Sequence, residues 1–98
     1  MNIIKESEKS AIEVYKVVLS GRRFPKGYWQ KPEARKNAIE ITKYLSEEVL
    51  ELSVNDVKKK LTYQVFRDNG LGGMLSRIYN NSSYEAIDTA YPEQIQAK

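Results

Sequence analysis

Neither cysteine nor histidine occurs in this chain of 98 residues, and those two absences remove more chemistry than any residue present adds. Zinc fingers, thiol nucleophiles, imidazole general bases and Ser-His-Asp triads are all excluded within it. Catalysis would fall to carboxylates, lysine, tyrosine or a hard metal ion. A cysteine-free chain is tolerated in reducing and oxidising settings alike, so the redox compartment stays open. No apolar run approaches the roughly 20 residues needed to cross a bilayer. The N-terminus, Met1-Asn2-Ile3-Ile4-Lys5-Glu6, turns acidic before a signal-peptide core forms. The expectation is a cytoplasmic protein with no membrane partner.

What remains is the composition of one folded domain. Hydrophobic residues make up 41% and charged residues 30%, which argues against global disorder. The net charge of +3 is modest, but it is distributed unevenly. Residues 16–43 hold eight cations against Glu33 and Glu40, and residues 58–77 hold five against Asp68. Between them lie Glu47, Glu48, Glu51 and Asp56. If the fold joins the basic blocks they make a patch for a polyanion; if not, they are solvated helix faces.

Periodicity predicts helices throughout. Ile4 to Ser20 spaces Ile4, Ala11, Ile12, Tyr15, Val18 and Leu19 on one face, with a short strand around Val14, Val17 and Val18 as the minor alternative. Gly21 supplies a stop, and Pro25 and Gly27 keep the following stretch irregular. Pro32 opens a second helix that runs from Glu33 to about Leu52 along Ala34, Ala38, Ile41, Leu45, Val49 and Leu52. Ser53-Val54-Asn55-Asp56 reads as a capping-box variant for a helix to about Leu61, which continues or restarts through Tyr63 to Arg67. Asp68-Asn69-Gly70 ends it, because Asn-Gly favours positive φ. A short helix follows over Leu71 to Tyr79, and Ser82-Ser83-Tyr84-Glu85 caps a last one through about Ala90. The tail from Glu93 to Lys98 has no visible period and reads as frayed.

The predicted architecture is therefore all-α, a compact single domain of four to five short helices. Its predicted core is Ile12, Tyr15, Leu19, Ala38, Leu45, Val49, Val57, Leu61, Phe66, Leu75, Ile78 and Ile87.

Gly21-Arg22-Arg23-Phe24-Pro25-Lys26-Gly27-Tyr28-Trp29 departs furthest from ordinary composition, with three cations and three aromatics in nine residues. Cations beside flat rings grip phosphates while the rings stack on bases. The competing reading tucks Phe24, Tyr28 and Trp29 under the helices and leaves the arginines solvated. Gly72 and Gly73 pose a second question, since each costs a helix about 1 kcal/mol relative to alanine. Close approach to a neighbouring helix or to a phosphate would explain them, and packing is the favoured account. Gly70-Leu71-Gly72-Gly73 lacks the Lys-Ser/Thr that follows a phosphate loop.

Glu47, Glu48 and Glu51 have helical spacing for a cation, but helix-bundle metal sites combine such acids with histidine, so a solvated surface is favoured. No cofactor and no enzymatic activity are expected. Ser53 to Tyr79 can form a helix-turn-helix-like unit with Leu71 to Tyr79 facing a groove, where Ser76, Arg77, Asn80 and Asn81 would read bases.

The strings SGRRFPKGYW, AIEITKYLSEEVLELS and GLGGMLSRIYNNSSYEAIDTAYPE resemble a small, largely uncharacterised family of Gram-positive bacteria and their phages, over most of residues 20–93. The last string is also similar, more distantly, to helical repeats that accompany homing endonucleases and are thought to bind DNA. It departs from them at Tyr79-Asn80-Asn81-Ser82-Ser83-Tyr84, where the repeats favour Phe-Gly-Ser-Trp. The similarity to the repeats adds to the reading of the basic, aromatic loop and carries over no catalytic residue; the expected function is a non-enzymatic DNA-binding module, such as a phage or prophage regulator. The expected contacts are Arg22, Arg23, Lys26, Lys58, Lys59 and Arg77 on phosphates, with Tyr28 or Trp29 stacking or supporting the loop. The alternative is a protein-interaction module that uses the same 21–29 loop on a larger protein, since arginine and aromatics also anchor protein interfaces. Nothing in the sequence demands a dimer.

Overall fold

The computed structural model describes residues 10–92, and every regular element among them is helical. Six α-helices follow in order: α1 (Ala11–Leu19), α2 (Ala34–Tyr44), α3 (Val54–Lys60), α4 (Tyr63–Asp68), α5 (Gly72–Ile78) and α6 (Ser83–Ala90). A 3-10 turn over Tyr28–Gln30 precedes α2, and a π-helical segment over Leu45–Val49 extends it. The chain forms an all-α domain, with one helix more than the upper expectation.

The extra helix arises where α3 and α4 separate. Leu61 leaves helical geometry, and the Thr62 hydroxyl accepts the Val65 amide at 3.3 Å, which caps a fresh helix. At the N-terminal end, Ser10 and Glu13 exchange side-chain and backbone hydrogen bonds in a complete capping box, so α1 starts at Ala11. Ile4 to Lys9, placed in the same helix from the sequence, lie outside the described residues, as does the expected frayed tail. The strand alternative is wrong: Val14, Val17 and Val18 are all in α1. Ser82 caps α6 as expected, its hydroxyl accepting from the Glu85 amide at 3.1 Å. Ser53 behaves differently, because its hydroxyl binds the Asp56 carboxylate at 3.1 Å and makes no cap bond to the backbone.

The second helix does not continue regularly to Leu52. Beyond Tyr44 the backbone widens, and the Leu50 amide reaches back five residues to the Leu45 carbonyl. Buried Ser46 explains part of this: its hydroxyl shares a 2.6 Å hydrogen bond with that of Tyr91, which in turn donates to Glu47 at 2.6 Å. Widening carries Val49 off the stripe that Leu45 occupies, and Val49 is exposed. Glu51 then takes a left-handed φ of 53° and reverses the chain.

Most of the predicted core is confirmed. Tyr15, Ala38, Leu45, Val57, Leu61, Phe66, Leu75 and Ile87 are buried, while Ile12 and Ile78 are half-buried. Leu19 is a correction along with Val49: α1 turns Ala11, Val14, Tyr15 and Val18 inward, which leaves Leu19 on the exposed flank. α2 is the central element, packed against α1, α5 and α6.

A candidate anion-binding cleft

Tyr15 fixes the position of the 21–30 segment. Its ring lies parallel to Phe24 with centroids 6.2 Å apart, and its hydroxyl donates to the Asn69 carbonyl at 2.7 Å. Phe24 in turn contacts Tyr28 at 5.1 Å and Trp29 at 4.9 Å, and Tyr28 and Trp29 meet edge to face at 4.8 Å. One aromatic cluster thus pins the loop between α1, the 3-10 turn and α5. Gly27, at φ 75°, supplies the left-handed entry to that turn.

Burial decides between the two readings of these rings. Tyr28 is 4% exposed and Trp29 9%, and Phe24 is half-buried. Of the two roles expected for Tyr28 and Trp29, stacking on bases or supporting the loop, this burial favours support: the rings pack on each other and on Phe24, and Lys31 Nζ lies 5.1 Å from the Tyr28 ring centroid. Burial also raises the Tyr28 hydroxyl pKa, with nearby Glu33 and Glu40 adding to the shift.

Arg22, Arg23 and Lys26 remain exposed at the rim. They line a cleft of about 510 Å³ together with Arg77 from α5. The wall between these cations is formed by Val18, Phe24, Pro25, Tyr28, Trp29, Gly70 and Gly73. Among the described residues no acidic side chain lines it. The structure thereby joins Arg77 from the second basic block to the loop of the first.

It does not bring in Lys58 and Lys59. Both are exposed on α3, neither lines the cleft, and Lys58 Nζ lies 6.0 Å from the ring centroid of Tyr84 on α6. α4 and α5 are linked by a short turn through Asn69, Gly70 and Leu71, and α5 has only seven residues. Ser76, Arg77, Asn80 and Asn81 are exposed. Asn80 and Asn81 both hold positive φ, 54° and 66°, so they also carry the turn out of α5.

The glycines differ from the packing account. Gly70 needs its residue type: φ is 83°, and an added Cβ would lie 3.0 Å from Val18 Cγ1. A Cβ on Gly72 would meet only Arg67 Cγ at 3.8 Å, and one on Gly73 would meet nothing within 4 Å among the described residues. Packing against a neighbouring helix does not explain Gly73, which faces the cleft. Sequence reasoning missed Val18, Gly70 and Gly73 as wall residues, and no local signal marks them.

Among the described residues no group of three or more Asp and Glu could hold a metal ion, and Glu47 is engaged by Tyr91. No described helix is long and apolar enough to cross a membrane. No match was found among the curated proteins or the solved structures. Residues 11–96 do match a family, and the chain belongs to it: the family of proteins of unknown function DUF4046.

Proposed function

We propose that this protein is a non-enzymatic nucleic-acid-binding module that grips DNA phosphates in the cleft of Arg22, Arg23, Lys26 and Arg77. One observation carries the reading: four cations from two separate parts of the chain line one concavity, and no acid among the described residues lines it. Such a site attracts a polyanion and releases counterions on binding. The buried aromatic cluster holds the loop in place, so its cations lose less freedom when they bind. The resemblance to proteins of Gram-positive bacteria and phages, and to DNA-binding helical repeats, fits a regulator that acts on DNA in the cytoplasm. The protein-interaction reading gains no anchor from Trp29, whose indole is buried.

Charge reversal tests the site. Arg22→Glu with Arg23→Glu is expected to abolish binding of labelled DNA, measured by fluorescence anisotropy, at an unchanged melting temperature. Lys58→Glu with Lys59→Glu is expected to weaken binding far less, since neither residue lines the cleft. Equal losses from the two double variants would place the site elsewhere.

A further inference from the structure

We infer that the cleft takes an unpaired nucleotide of a single strand, in preference to the backbone of a duplex; this inference rests on the nucleic-acid reading above. The first argument is shape. A duplex is a convex cylinder whose phosphates touch only the rim of a concavity. A cleft of about 510 Å³ falls within the range that encloses a small organic group, and an unpaired base is such a group. The second argument is chemistry. Cations stand on the loop and on α5, whereas Val18, Phe24, Pro25 and Trp29 give the lining an apolar part. Phosphates on the cations and a base against the half-buried Phe24 and the apolar residues beside it make the combination that single-strand sites use.

Gly73 supplies an independent argument. Its backbone does not require glycine, and a Cβ would touch nothing within 4 Å among the described residues. Alanine would favour the helix at this position. Yet the residue lines the cleft, and there a side chain would occupy ligand space. An occupant of the cleft accounts for a glycine that neither conformation nor packing requires.

The experiment uses the full chain, a labelled oligo-dT strand, a mixed-sequence duplex of equal length, and free dTMP, at one low salt concentration. The single strand is expected to bind at least about tenfold more tightly than the duplex, and to change the emission of Trp29, the sole tryptophan. Gly73→Ala is expected to weaken strand binding several-fold while melting no lower than the parent, and Gly73→Leu to weaken it further. A purely structural glycine would instead lower the melting temperature and leave affinity intact. Duplex binding as tight as the single strand overturns the inference and leaves the nucleic-acid reading standing. dTMP bound as tightly as the strand assigns the cleft to a free nucleotide and also overturns it. Binding of neither strand nor duplex overturns both readings.

Discussion

The hydroxyl of Tyr15 donates a 2.7 Å hydrogen bond to the backbone carbonyl of Asn69, tying α1 to the turn that enters α5. The same ring is parallel to Phe24, so one buried side chain holds both walls of the cleft. Removing only the hydroxyl separates these two roles. Tyr15→Phe keeps the ring contact but leaves the carbonyl without this partner, at an expected cost of about 1–2 kcal/mol. Urea denaturation of the two proteins measures it, and an unchanged midpoint would show that the bond contributes nothing.

Tyrosine ionisation should govern stability in alkali. Burial raises the hydroxyl pKa values of Tyr15, Tyr28, Tyr79 and Tyr91. Tyr91 is pushed up to about 12, by burial first and then by its hydrogen bond to Glu47. The folded state holds these protons more tightly than the unfolded chain. Their stabilising contribution is therefore full below the ordinary tyrosine value of 10 and is lost as pH rises through the folded values. Tyrosinate absorbance and helical circular dichroism, followed together, should show late-ionising tyrosines that titrate as the helices melt. Ionisation of all seven tyrosines near pH 10 in an intact fold would contradict this.

Two glycines three residues apart should respond with opposite sign. Gly70→Ala forces a side chain into a φ of 83° and towards Val18, and is expected to cost about 1–3 kcal/mol. Gly73→Ala meets no such obstacle and is expected to raise stability by about 0.5–1 kcal/mol. Thermal melts of both variants check the pair. A destabilised Gly73→Ala would mean that its backbone, and not the cleft, requires glycine.

Helical class, most element positions and much of the core were legible in the sequence because apolar spacing and caps such as Ser82 act locally. Leu19 and Val49 were misplaced for a different reason. Spacing shows which residues share a helix face, but only neighbouring elements decide how wide the buried face is. The widened segment that begins at Leu45 sets Ser46 against Tyr91, a partner far along the chain that no window of sequence around the helix contains. In the cleft, Arg22, Arg23 and Lys26 stood out as one unusual segment. Arg77 joins them, and Lys58 and Lys59 do not, because of how α3 and α5 pack. The burial of Tyr28 and Trp29 follows from Phe24 and Tyr15, a tertiary contact that composition does not disclose.

The most direct measurement is the salt dependence of DNA affinity for the parent protein and for single alanine variants of the four cleft cations. Each single-strand phosphate neutralised contributes about −0.7 to the slope of log affinity against log salt. Three to four such contacts predict a parent slope of roughly −2 to −3, which Arg22→Ala or Arg77→Ala makes shallower by about 0.7 each. A parent protein that fails to bind at low salt, or a slope that none of the four variants alters, would contradict a phosphate-gripping cleft.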